Sequence, residues 1–452
     1  MYRRIAIVAL MGTTLAGCST MKHWFAGKDA EAKKAQEPAE LVKFDATVKV
    51  DKLWSTNVGD GEGRHGVVQQ PTVVDGKVYG AAMDGEIYAL DLQTGHKIWE
   101  YKAKAQRKLE LAAADDSSDD EDEPSQVKSE STDGLSKQEK ASRRERLRNE
   151  KLQRKERHAL AKNRPLPRFS GGPGVGDGLV VAGSLDGHVV ALDANDGSHK
   201  WDVRVPAEVI TAPVIAQGMV FVRSNDGRVT ALDAATGERR WFHDQEGPTL
   251  TVRGNAPLTA GPGVLFVGND DGTMSTLAMQ DGRPLWNQAI GQPEGRSELE
   301  RMADVDGAPV LEGNNLYVTS FKGETMAIDG PSGRPIWSRD HGGAGTPGVS
   351  SGLVVVSDTG GTVWGLDKAS GSAMWSQPDL ARRTLSGVAI QGDYAVVGDY
   401  KGYLHWLNLS DGKMAARKRA GHDKLLAQPV VVDGILVVES SNGDVTAFRL
   451  AN

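Results

Sequence analysis

The residues of this 452-residue chain that could do chemistry are one cysteine, ten histidines and a scatter of Asp-Gly pairs. The cysteine, Cys18, has no second thiol to join, which excludes an internal disulfide and a thiolate metal site. The histidines never fall at metal-ligand spacing, and HExxH, Walker A and GxSxG motifs are missing. The Asp-Gly pairs suit calcium or acid chemistry only until their spacing is noticed. They return with the period of a repeat, and a repeating Asp-Gly is a turn.

The repeat returns about eight times. Its cleanest copy, Ala212 to Trp241, reads as strands at Pro213–Ile215, Met219–Arg223, Arg228–Leu232 and Arg239–Phe242. The second-to-third strand turn recurs at Asp84-Gly85, Asp186-Gly187, Asp226-Gly227, Asp271-Gly272, Lys322-Gly323, Gly360-Gly361, Lys401-Gly402 and Asn442-Gly443. Gly tolerates positive φ, so these read as two-residue type I′ turns. A second turn, between the third and fourth strands, ends in Gly, and four residues later comes Trp99, Trp201, Trp241, Trp286, Trp337 or Trp375. In the seventh copy Ala416 holds the Trp place, so that blade should pack differently. Four-stranded units of this length predict an all-β, eight-bladed β-propeller. Six in-phase Trp residues read as inter-blade packing rather than a ligand box.

The eighth copy stops at Phe448-Arg449-Leu450, without its Trp strand. The missing strand stands at the other end, as Lys52-Leu53-Trp54-Ser55-Thr56. The N-terminal strand should therefore complete the last blade and remove an exposed sheet edge. Propeller then occupies 51–102 and 166–452.

Residues 1–17 have a basic start, a short apolar core and small residues before Cys18, which describes a secretory signal peptide. Leu15-Ala16-Gly17-Cys18 resembles the lipobox of bacterial lipoproteins. That resemblance implies lipidation of Cys18, and Ser19 behind it implies sorting to the outer membrane, facing the periplasm. Residues 18–50 would form a polar tether from the lipidated Cys. The formal charge is −7 and becomes more acidic once Arg3 and Arg4 are lost, a poor balance for nucleic-acid binding.

Residues 103–165 interrupt the repeat with an acidic run from Asp115 to Glu123 and a basic run from Lys137 to Arg164. Such blocks usually stay solvated. A tolerated surface insertion and an electrostatic arm for an anionic partner both remain open, and the basic half could form an exposed helix.

Two blade-to-blade connectors are long, Trp241 to Pro257 and Trp286 to Pro309. They are consecutive, and extra length on a repeat scaffold usually collects on the binding face. Leu250 and Val252 lie two apart and can share one face of an extended segment, beside Arg253. Asp304 and Asp306 offer the opposite charge. On residue types alone, Leu250 and Val252 could equally be core strand, and the two Asp could accept turn or Arg253 hydrogen bonds.

The repeats resemble those of pyrroloquinoline-quinone dehydrogenases, enzymes that usually carry a vicinal disulfide and a calcium site. This chain has one cysteine and no matching ligand set, so neither an enzyme nor a cofactor is expected. The lipobox, TLTVRGNAP at 249–257, ELERMADVDGAP at 298–309 and VVGDYKGYLHWLN at 396–408 together resemble the BamB family, lipoproteins of the β-barrel assembly machinery. The likeness covers nearly the whole chain except the charged insertion. It implies a non-enzymatic scaffold of the Bam complex that binds the periplasmic POTRA domains of BamA through Leu250, Val252, Arg253, Asp304 and Asp306. Whether unfolded outer-membrane proteins touch it directly stays open. A periplasmic scaffold for other envelope proteins is the alternative reading.

Overall fold

The computed structural model describes residues 37–62, 65–109, 148–149, 152, 165–245, 256–291, 304–321 and 323–451. These hold thirty-two strands, from β1 (Val50–Asn57) to β32 (Asp444–Leu450), in eight four-stranded antiparallel sheets. Seven sheets use four consecutive strands, and the eighth has the order β1-β32-β31-β30, with β30 at Val430–Val432 and β31 at Ile435–Glu439. Val50 pairs with Leu450 and Asn57 with Asp444, so the N-terminal strand closes the ring as expected. In the cleanest copy three of the four strands fall within a residue of the sequence reading at both ends, and the second, Met219–Arg223, coincides with it.

Turn chemistry differs from expectation. At the second-to-third strand turn only Gly takes positive φ, at 88° for Gly85, while Asp84 is not left-handed. Gly85 N donates to Ala82 O and Ala82 N to Glu86 O, the pattern of a three-residue loop built from a type I turn and a bulged Gly. The type I′ turns lie instead between first and second strands, where Asp75-Gly76, Asp177-Gly178 and Asp433-Gly434 have positive φ at both residues. Blades 1 to 7 thus carry three tight turns each, not two, and blade 8 carries two.

The Trp residues lock blade to blade. Trp99 Nε1 donates to Ala194 O at 3.2 Å, Trp201 Nε1 to Ala234 O at 2.9 Å, and Trp241, Trp286, Trp337 and Trp375 repeat the bond into their next blades. The indole also covers the positive-φ Gly of that blade's last turn, and a Cβ on Gly197 would lie 2.6 Å from Trp99. Trp54 makes the same contact to blade 1, through Leu92 O at 2.9 Å and over Gly95. Opposite each of these Trp stands a small residue, such as Ala89 facing Trp99.

Blade 7 is packed differently, as Ala416 predicts. Its Trp moves to the facing strand: Trp406 pairs with Ala416 and is fully buried. The reason lies in blade 8. Because β1 arrives from the N-terminus, blade 8 has no third-to-fourth strand turn for an indole to cover. Trp406 Nε1 donates instead to Gln391 Oε1 at 2.8 Å, and Gln391 Nε2 passes the link to Gly434 O at 2.9 Å.

Every fourth strand, β1 included, has a bulge at the residue before the Trp position. Ala89 pairs with Trp99 and Leu90 with Lys97, leaving Ile98 unpaired. In blades 1, 4, 5 and 6 the extra residue projects outward, which explains exposed Ile98, Leu285, Ile336 and Met374, while Ala415 of blade 7 is buried. A bulge on an outer strand discourages edge-to-edge pairing.

The expected tether does not extend freely to residue 50. Residues 37–49 lie along blade 7, where Ala39 N donates to Ala381 O, and Thr47 N to Ala415 O at the blade 7 bulge. Arg382 Nε donates to Glu37 O, Arg383 Nη1 to Ala39 O, and Arg417 Nη1 to Val42 O, with Arg417 over the Phe44 ring. The charged insertion leaves blade 1 as a helix at 103–109, and Arg107 Nη2 donates to Pro165 O where the chain returns.

Removing residues 51–58 should lower the melting temperature of the whole ring, since it deletes both the closing ladder and the Trp54 lock. Trp54→Ala alone should cost about 3–5 kcal/mol, measured by chemical denaturation. An unchanged midpoint in either variant contradicts closure by β1.

Candidate docking face

Strand direction alternates within a blade, so blade-to-blade connectors and second-to-third strand turns emerge at the same end of the ring. The two long connectors join β13 (Arg239–His243) to β14 (Thr259–Gly261) and β17 (Pro284–Ala289) to β18 (Val310–Glu312). A third, between β1 and β2 (Thr72–Val74), spans 58–71 and rivals the first in length. The insertion occupies the same kind of connector, between β5 (Lys97–Lys102) and β6 (Phe169–Gly176).

Leu250, Val252 and Arg253 lie outside the described residues, as does Cys18. Asp304 and Asp306 are described, at the end of the second long connector. Asp304 is only 1% exposed and its carbonyl accepts from Phe321 N at 2.8 Å. Between the two, Val305 N donates to Asn269 O at 3.2 Å, and the Val305 side chain is buried. Val305 approaches Gly268 so closely that a Cβ there would meet Val305 Cγ1 at 2.6 Å. The segment is thus seated in the ring. Asp304 is a buried group rather than the surface charge its type suggested, and Asp306 is half-buried.

A residue that sequence reasoning missed organises this corner. Arg223 ends β11 (Met219–Arg223) and its side chain is 1% exposed. Nη1 donates to Ala256 O at 3.0 Å, where the first long connector ends. Nη2 donates to Asp270 Oδ1 at 3.1 Å, on the second-to-third strand turn of blade 4. Burial pushes the Asp306 carboxyl up to about 7, helped by Asp304 and Asp270 and opposed by Arg223. Burial likewise raises Asp270, with Arg223 pulling the other way.

The signal for Arg223 was present in the repeat. Its place at the end of the second strand is held by Ala81, Gly183, Gly268, Thr319, Ser357 and Gly398 in six other blades. The one other ionisable occupant is Glu439 in blade 8, also buried, with its pKa raised to about 8 by burial and Tyr88 pulling the other way. Glu439 lines a small cleft with Glu62, Gln69, Ser440 and Ser441.

The arrangement nearest to a catalytic set lies in blade 7. Asp399 Oδ2 accepts from His405 Nε2 at 3.0 Å and from Arg383 Nε at 2.8 Å. Arg417 Nε donates to His405 Nδ1 at 3.2 Å, so Nδ1 must be the acceptor and Nε2 carries the proton. Burial lowers the His405 pKa and keeps the ring neutral. With both ring nitrogens engaged and His405 fully buried, the set supports the arginines that grip residues 37–42.

A family model described as "Outer membrane protein assembly factor BamB" matches residues 25–122, 139–377 and 360–452. The chain belongs to the BamB family. A BamB from Xanthomonas campestris pv. campestris is 64% identical over all of this chain and 98% of its own length. The Escherichia coli K12 BamB is 30% identical, with 98% of each chain covered. Among solved structures, BamB from Moraxella catarrhalis superposes with a TM-score of 0.69 at 21% identity, covering 89% of this chain and all of its own. A quinohemoprotein alcohol dehydrogenase from Comamonas testosteroni reaches 0.59 at 15% identity, covering 91% of this chain and 78% of its own, a likeness of fold.

Asp306 and Glu439 both bind protons more tightly folded than unfolded. Their contribution to stability is full below their ordinary values of 3.8 and 4.5 and is lost as pH rises through about 7 and about 8. The melting temperature should therefore fall between about pH 4 and about pH 8. Asp306→Asn should flatten the lower part of that fall and Glu439→Gln the upper part, in a thermal-shift series. Parental slopes in both variants contradict the assignment.

Proposed function

We propose that this chain is a non-enzymatic scaffold of the β-barrel assembly machinery. It is held at the outer membrane through lipid on Cys18, faces the periplasm, and docks the POTRA domains of BamA. Leu250, Val252 and Arg253 supply the contact from the first long connector, with the apolar pair burying area and Arg253 fixing register. Asp306 flanks them from the second connector. Asp304, being buried, contributes by seating that connector rather than by touching the partner.

The observation that carries this reading is that the described ends of the two long connectors, at Ala256 and at Val305, meet one corner of the ring beside Arg223 and Asp270. Membership of the BamB family supports it, because the relatives bear the name outer membrane protein assembly factor. A closed ring also has the right mechanics for a scaffold: its strands are committed to the core, and its variable surface is the connectors.

Arg253→Glu should reduce co-purification of BamA about tenfold or more while the melting temperature stays within a few degrees of the parent. Full retention of BamA overturns the docking face. Cys18→Ala should move the protein from the membrane fraction to the soluble periplasmic fraction. A variant that still sediments with outer membrane contradicts the anchor.

A further inference from the structure

We propose that Arg223 is the positioning residue of the docking face, holding the end of the first long connector at a fixed spacing from the end of the second. This rests on the reading that those connectors bind the partner.

The guanidinium joins parts of the chain that no ladder joins. Through Nη1 it holds Ala256 O, and through Nη2 it holds the blade 4 turn at Asp270. Asp306, on the second connector's end, faces the same charge. A planar fork on a buried stem restricts the spacing and angle of its acceptors far more than an ammonium does.

Ring packing does not ask for this side chain. Six other blades fill the equivalent place with Ala, Gly, Ser or Thr. Nor is the corner tuned for stability. Arg223 Nε and Asp306 Oδ1 are buried and have no hydrogen-bond partner among the described residues. Buried ionic groups are commonly no more stabilising than apolar residues of equal volume. What the arginine adds is geometry, and the geometry it sets is that of the two connectors.

The test compares the full chain with Arg223→Met and Arg223→Lys, using the purified periplasmic POTRA array of BamA as the probe. Arg223→Met should fold but melt below the parent, because it strands the Asp270 carboxylate. It should bind the array about tenfold more weakly and be cleaved by trypsin after Arg253 about threefold faster. Arg223→Lys, which keeps the charge but loses the fork, should recover part of the binding. Should Arg223→Met fail to fold, Arg223→Met with Asp270→Asn removes the stranded carboxylate and carries the same test. Parental binding and parental cleavage in folded Arg223→Met overturn the proposal. Loss of binding in Arg253→Glu but not in Arg223→Met overturns the positioning role and leaves the docking face standing. Retention in both overturns the docking face and this role with it.

Discussion

One contact recurs around the ring, and the rest depends on it: an indole N–H reaching a carbonyl in the next blade while its ring covers a glycine. The contact is directional. Except at the junction of blades 7 and 8, each blade gives a Trp forward and receives one from behind, so the interfaces are head-to-tail and become stable only when the cycle closes. That requirement accounts for the one irregular junction. A blade completed by the opposite end of the chain has no last turn, and the blade before it cannot dock a Trp in the usual way. The exchange of Trp and Ala between Trp406 and Ala416, with Gln391 as a relay, follows from where the chain begins its ring.

A ring locked in this manner leaves its blades little freedom, and specificity moves to what projects from them. Two blades depart from the repeat by burying an ionisable side chain at the end of the second strand, Arg223 and Glu439. Both sit where a connector longer than usual rejoins the ring, 244–258 for Arg223 and 58–71 for Glu439. Long connectors bring more backbone polar groups to the end of the blades, and those groups need partners. At the first of these, the Arg223 guanidinium supplies one to Ala256 O.

The ring was legible in the sequence because its signals are local and repeated. Turn glycines, the phase of the Trp residues and the truncated last unit each follow from short-range sterics. The turn type was misread because Asp-Gly suits both a type I′ loop and a type I turn with a bulged Gly, and the choice is made by the strand register on either side. The bulge before each Trp left no compositional mark: Ile98, Lys200 and Ala415 share the position and nothing else. The corner around Arg223 was half legible. Asp304 and Asp306 were found by type, but burial is a property of the assembled ring and reversed the meaning of Asp304. Arg223 was visible only as an exception to a column of small residues, which emerges once the blades are laid over one another.

On the anchor proposed at Cys18, the segment at 37–49 changes how far the ring can stand from the membrane. An extended chain gains at most about 3.5 Å per residue. Were the chain loose from Cys18 to Val50, the propeller could range about 110 Å from its point of attachment. With the strap fastened at Glu37 by Arg382, the limit falls to about 65 Å. Three arginines and a buried Asp399–His405 pair therefore act as a stop on a leash. They also choose the side of the ring to which the leash is tied, so blade 7 is the part of the propeller held nearest to the anchor proposed at Cys18.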